Sequence, residues 1–386
     1  VAPPPSSPEP AGLAGPGRPP LAGVVVADFS RVLAGPYATM LLADLGAEVV
    51  KVERPLHGDD TREWGPPYSD GVSTYFRSVN RGKRSVAWDL ASPAGLVAAR
   101  DLVRRADVLV ENFRPGSLER LGLGWESVSA LNPRLVYCSI TGFGAGPGAA
   151  MPGYDLLVQA VGGLMSVTGP DAGRPTKVGV AVVDVITGLH AVTGILAALR
   201  HRDATGQGQR IEVELLTSLL SALVNQVSGY LDAGVVPGPM GNRHPSIAPY
   251  ETLPAADGTL ALAVGNDRQF AALCEEIGRP DLAANPRFAT NPVRVAHRDE
   301  LAALLAGALA AAPVGEWVER LVARGVPCGP VNDVAEAVRL ATLLGLNPVV
   351  DLPAAPGTVA SRQVRHPVRY SATPPVHSSG PPRLPP

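Results

Sequence analysis

The sequence predicts an α/β fold: a parallel sheet covered by helices, with a smaller domain inserted late in the chain. Three observations carry this. Apolar runs of strand length alternate with helix-length segments through the N-terminal half. The first of them, VVVADF, a helical stretch PYATMLLADLG and a second run, AEVVKVER, form one βαβ unit, which needs parallel strands. After about residue 234 the texture changes to a hairpin pattern and amphipathic helices.

Residues 1–20 are rich in Pro, Gly and Ser and nearly without apolar bulk, so a disordered leader is expected. After Phe29 a loop, Ser30 to Gly35, leads to Pro36 at a helix start, and Gly46 stops that helix. The loop SRVLAGP lacks the G-x-G-x-x-G pattern, so a dinucleotide is not supported. NRGKRS precedes the short strand SVAWDL, and Ser92-Pro93 opens the next helix. DVLVEN is a buried strand running into Asn112-Phe113-Arg114-Pro115-Gly116, and LVYCSI is another. A glycine-rich loop, 142–153, follows that strand end, where open α/β sheets bind ligands. A helix from Tyr154 to Gly162 precedes KVGVAVVDVITGLH, whose helix is expected to end near Ala198-Leu199. LLTSLLSALVNQVSGYLDAG is apolar on most faces and reads as buried. VVPGPMGNRHPSIAPYE reads as a linker or active-site loop. A hairpin turning at Asp257-Gly258 and three helices, within DRQFAALCEEIG, RDELAALLAGALAAA and VGEWVERLVARG, complete the small domain. The expected division is 21–234 for the large domain, 235–333 for the small one, 334–372 for a return to the large domain and 373–386 for a Pro-rich tail.

A net charge of −2 points away from a nucleic-acid partner held by general electrostatics. Cys138, Cys274 and Cys328 are too far apart for a disulfide framework or a CxxC metal site, which fits a reducing, cytoplasmic setting. No apolar run is read as approaching the roughly 20 residues of a membrane span, and no secretory signal is recognised. No His/Cys/Asp/Glu set has metal-ligand spacing, and neither a G-x-S-x-G elbow nor a Walker A loop occurs.

Asp184 is the main candidate for chemistry. It lies among apolar and small residues, where an ionised carboxylate is costly unless it is held. Two readings stand: it caps the helix that follows, or it attacks an activated acyl group. At a helix start the backbone N–H groups would favour its ionised form and could hold an oxyanion. Arg54 directly after a strand, Arg120, and the cluster Arg81, Lys83 and Arg84 together suggest a phosphate-bearing ligand. Tyr154-Asp155, after the glycine-rich loop, reads as a site wall or acid, with Tyr154 a candidate substrate contact, or as an ordinary helix start with Asp155 in its first turn, the reading preferred for Asp155; His190 reads as a core or surface histidine.

Long consecutive motifs add a resemblance. RVLAGPYATMLLADLGAEVVKVERP, GDDTREWGPP, NRGKRS, ADVLVENFRPGSLERLGLGW, NPRLVYCSITGFG, KVGVAVVDVITGL and GVPCGPVNDV resemble the family III CoA-transferases from about Leu21 to Tyr370. GNRHPSIAPYE, GNDRQFAALC and NPRFATNPVRVAHRDEL are most similar to the succinate–hydroxymethylglutarate branch. The resemblance implies an interlocked, ring-like homodimer, each subunit with a large Rossmann-type domain and a small inserted one. It implies that Asp184 attacks an acyl-CoA thioester and passes CoA to an acceptor acid through an anhydride and an aspartyl-CoA thioester. The substrates would be an acyl-CoA, such as succinyl-CoA, and a dicarboxylic or related acid, with no tightly bound cofactor, metal, nucleic acid or membrane. CoA contacts map to Arg31, Val32, Leu33, Ala34, Arg54, Asn112, Phe113 and Arg120. Arg243 and His244, in the loop leading into the small domain, are candidate partners for the acid.

The chain departs from the family pattern at Ala91, where a CoA-contacting lysine is usual, in lacking the glycine-rich flap of formyl-CoA transferases, and in its C-terminal ending. α-Methylacyl-CoA racemases share the fold but carry His-Asp where this chain has Tyr154-Asp155. A phenol is a poor base at neutral pH, which favours transfer over racemisation. A CoA-binding module without catalysis is the third alternative.

Overall fold

The computed structural model describes residues 17–386, so the expected leader lies, up to residue 16, outside the described residues. The chain divides into two compact units. The first takes residues up to Leu164, then Val178–Ala233 and Asn347–Pro386. Its centre is a six-stranded parallel sheet of β1 (Val25–Asp28), β2 (Glu48–Glu53), β3 (Lys83–Ala87), β4 (Val108–Glu111), β5 (Val136–Thr141) and β6 (Arg210–Glu214). The strand order is β3-β2-β1-β4-β5-β6, with Val26 beside Val49 on one side and Val108 on the other. The direction of winding therefore reverses between β1 and β4, which opens a crevice at their carboxyl ends.

The central strands are buried on both faces, which is why they read as near-continuous apolar runs. Alternate residues serve opposite layers. Val26, Val49, Val108 and Val136 pack with α1 (Ala34–Asp44) and with the long helix that carries Asp184. Ala27, Val50, Leu109 and Tyr137 pack against α2 (Pro93–Arg105) and Leu118 of α3 (Ser117–Arg120). α4 (Asp155–Val161) follows the glycine-rich loop, whose ends meet at Gly142 and Gly153. A Cβ on Gly142 would come within 2.4 Å of the Gly153 Cα.

α5 (Val182–Thr205) runs one and a half turns past its expected end, because Arg202 is anchored by Asp107 and Gly206 closes the helix at φ 79°. At 24 residues α5 is also long and apolar enough to cross a membrane, contrary to the linear reading. Asp184, His190 and its glycines and threonines interrupt the run in sequence. Its buried residues, Val183, Ala191, Ile195 and Ala198, belong to the core of the large sheet.

The long apolar helix expected after β6 is two helices. α6 (Leu215–Ala222) buries Leu215 and Leu219, and α7 (Val224–Ala233) buries nothing. The break falls at Val224, with φ +32°, and Tyr230 and Leu231 on α7 are 55% and 72% exposed. Apolar composition alone did not supply α7 with a partner surface.

The second unit takes Met165–Lys177 and Gly234–Leu346. β7 (Tyr250–Pro254) and β8 (Thr259–Ala263) form the expected hairpin, and β9 (Cys328–Pro330) adds a third strand against β8. α8 (Asp267–Glu276), α9 (Arg298–Leu309) and α10 (Val314–Ala323) supply Phe270, Leu305 and Trp317 to its core. α11 (Val334–Leu343) groups with this unit too, and the large unit resumes at Asn347. There β10 (Val349–Leu352) and β11 (Ser361–Val364) pair antiparallel. The Pro-rich end is not a free tail. Val376 donates to the Asp44 carbonyl, Gly82 donates to that of Ser379, and Gly380, Pro381 and Pro382 are buried.

Candidate active site

The crevice between β1 and β4 holds a cavity of ≈ 330 Å³. Its walls come from the loop after β1 (Arg31 to Ala34), the loop after β4 (Asn112 to Pro115), the glycine-rich loop and Tyr154. Asp184 reaches it from the first turn of α5. A second cavity of ≈ 150 Å³ lies at the ends of β1 and β2 and the segment after β3. Arg31 and Phe113 border both, and Arg54, Trp88 and Leu90 border the second.

Asp184 does not cap its own helix. The N-cap is Ala181, and Asp155 does the capping: its Oδ1 accepts from the amides of Val183 (2.8 Å) and Asp184 (3.2 Å). Its Oδ2 accepts from Gln159 Nε2, and Gln159 Oε1 accepts in turn from the Val178 amide. Asp155 is therefore a brace across the start of α5 rather than an ordinary first-turn acid. It also takes amides that the sequence reading assigned to Asp184. Among the described residues nothing donates to the Asp184 carboxylate. Burial and the neighbouring Asp155 charge push its pKa up to about 7.

One close approach sets where Asp184 stands. Gly188, one turn further along α5, lies against the start of α1, and a Cβ there would come within 2.8 Å of the Ala34 carbonyl oxygen. The missing side chain lets α5 approach the loop that lines the cavity. Tyr75, which sequence reading missed, is close enough that burial and the charges of Asp184 and Asp155 push its hydroxyl up to about 12. It remains a neutral donor across the working pH range.

The loop after β4 is held from below. Glu111 accepts from the Phe113 amide (2.8 Å) and Ser139 Oγ (2.5 Å), and burial pushes its carboxyl up to about 7. Asn112 accepts from the Arg31 amide and donates to the Arg31 carbonyl, tying the two cavity loops together. The Arg31 guanidinium lies over the Phe113 ring at 5.0 Å. Asp60 pairs with both Arg31 and Arg54, which are partly exposed.

Other basic residues are placed differently from the sequence reading. Arg120 donates to Ser117 Oγ and lines neither cavity. Arg81 and Lys83 lie at the amino end of β3, where they are buried in ion pairs with Asp44 and Asp28. Arg84 pairs with Glu48 on the surface. NRGKRS is thus a structural cluster, because ligands of a parallel sheet meet the other end of its strands. In the second unit, Arg243 is committed to Glu251 and Asp299, and the His244 ring packs against Tyr250. His190 shares a hydrogen bond with Ser218. Among the described residues no group of three His, Cys, Asp or Glu side chains could hold a metal ion.

The sequence profile of CoA-transferase family III matches residues 21–385. The chain belongs to that family. It is 45% identical over 374 residues to a succinate–glutarate CoA-transferase of Agrobacterium fabrum, covering 95% of this chain and 93% of that one. It is 43% identical over 316 residues to the human succinyl-CoA:glutarate CoA-transferase, covering 82% and 72%. Among solved structures, a CAIB/BAIF family protein from Brucella suis superposes with a TM-score of 0.86 at 42% identity, covering 95% of this chain and 97% of that one. The family III transferase thus acts on CoA thioesters and carboxylic acids, and transfer of CoA from an acyl-CoA to a carboxylate is its activity.

Proposed function

We infer that Asp184 is the nucleophile, and that the preferred exchange is between succinyl-CoA and a dicarboxylate of glutarate size. The observation that carries this is Asp184 itself: an unpaired carboxylate in the first turn of α5, opening onto the switch-point cavity beside Arg31 to Ala34. Its oxygen attacks the thioester carbonyl, the C–S bond breaks, and a mixed anhydride and CoA thiolate result. The thiolate attacks the Asp184 carbonyl and releases the donor acid, leaving an aspartyl-CoA thioester. The acceptor carboxylate attacks that thioester and frees the thiolate. The thiolate then takes the acceptor's acyl group and returns Asp184 as a carboxylate.

No side chain caps α1 and Pro36 has no N–H, so the Ala34 amide at the cavity wall is a fitting donor to the oxyanions. The CoA nucleotide suits the smaller cavity, with Arg31 and Arg54 for its phosphates and Trp88 and Leu90 for its base. The missing family lysine at Ala91 borders this cavity, and Arg54 is the cation that serves there. We read the active form as a homodimer, which would cover the exposed apolar residues of α7.

The test is transfer from succinyl-CoA to glutarate, with oxalate, mesaconate and L-malate as competing acceptors. Asp184→Ala is expected to lose at least about 10³-fold in kcat with a melting temperature no lower than that of the wild type, and to yield no hydroxylamine-sensitive adduct. Full activity in that variant would remove Asp184 from the mechanism.

A further inference from the structure

We propose that Asp59 is a positioning residue for this reaction: with Lys51 it holds Val32 in a left-handed backbone conformation and so fixes the cavity wall beside Asp184. The inference rests on the CoA-transfer reading of that cavity.

Val32 has φ +70°. A β-branched side chain disfavours that region, so the conformation persists only where its surroundings force it. The forcing groups are all side chains from elsewhere in the unit. Ser30 donates its amide and hydroxyl to Asp28, and its carbonyl accepts from Lys51 Nζ at 2.9 Å. Asn112 clamps both backbone groups of Arg31. The Val32 amide donates to both oxygens of Asp59, each at 3.3 Å.

Asp59 is well supported for this task. Its side chain and that of Lys51 are wholly buried, 2.9 Å apart. Thr61 donates to Asp59 from its amide and its hydroxyl. Burial alone would raise the Asp59 pKa, but Lys51 overrides it and holds the carboxyl at about 2, so it accepts as an anion throughout. The Asp59 amide donates to Glu53, which Arg62 grips with two nitrogens, and Arg62 stacks on Phe76 and donates to the Pro382 carbonyl. The strained residue thus hangs from a buried ionic framework, and the residues it orients, Arg31 to Ala34, line the reaction cavity. Every neighbour of the Asp59 carboxylate is a donor, so Asp59→Asn turns an NH2 onto a donor in either rotamer.

The test is a double-mutant cycle of wild type, Asp59→Asn, Val32→Gly and the pair, measured as kcat/KM for succinyl-CoA alongside melting temperature. Glycine adopts φ +70° without strain, so it needs no forcing. Asp59→Asn is expected to cost about tenfold or more with Val32 present and under about threefold in the Val32→Gly background. Equal penalties in both backgrounds would overturn the proposal, because a residue that only stabilises the fold costs the same in each. If Asp59→Asn does not fold, Lys51→Met/Asp59→Asn, which leaves no unpaired ammonium, is compared in the same two backgrounds with the same criterion. The wild-type rate tests the reading of the site, and the ratio of the two penalties tests the role of Asp59.

Discussion

Asp184 sits in a conflict that the residue scale makes measurable. The proposed attack requires the carboxylate, yet burial and Asp155 favour the protonated form, with a pKa of about 7 against an ordinary 3.8. The rate is therefore expected to fall with unit slope as pH drops below about 7, and a flat kcat/KM profile between pH 5.5 and 8 would contradict the assignment. Stability has the opposite sign. Between the unfolded and folded pKa values only the folded chain holds this proton. The stabilising contribution is complete below pH 4 and is lost as pH rises through 7. Asp184→Asn cannot ionise, so it is expected to melt a few degrees above wild type at pH 8 and to match it at pH 4. Calorimetry at the two pH values checks this.

The site at element scale is the meeting of two helix starts, α1 and α5, over the carboxyl end of β1. Gly188 permits that approach. A methyl group there meets backbone, the Ala34 carbonyl, which cannot swing aside as a flexible side chain could. Gly188→Ala is expected to cost roughly 1–3 kcal/mol of stability and at least about tenfold in kcat, because Asp184 and the cavity loop shift relative to one another. Thermal melts and steady-state kinetics measure both. Retention of full kcat would show that the contact does not set the geometry of attack.

For the whole molecule, the C-terminal segment is built into the large unit. The C-terminal segment supplies the Ser379 carbonyl to Gly82, the Pro381 carbonyl to Val359 and the Pro382 carbonyl to Arg62, whose other partner, Glu53, leads on to Asp59. Removing residues 376–386 strands the buried Arg62 and half-buried Gly82 donors, so the shortened chain is expected to melt at least about 3 °C lower. An unchanged melting temperature would mean the segment contributes nothing to the fold.

What the sequence determined by itself follows from local physics. Strands buried on two faces must be continuously apolar, helices between them must be amphipathic or capped, and those patterns made the α/β class legible at VVVADF, DVLVEN and LVYCSI. The consecutive motifs around Asp184 and Asn112 likewise carried the family. Partnership was not legible, because it depends on groups distant in sequence. NRGKRS looked like a phosphate site until Asp44 and Asp28, some 37 and 55 residues away, were found to neutralise Arg81 and Lys83. α7 looked buried because composition states what could be covered, not what covers it. Asp155 looked incidental because the Val183 amide that it accepts from lies 28 residues later, beyond α4 and the segment that follows it. Asp184 was readable as a carboxylate in an apolar setting. Only the tertiary structure decided that another acid caps its helix, that Gly188 brings it to the cavity, and that Asp59 holds the wall it faces. Each of these contacts joins segments that only the folded sheet brings together.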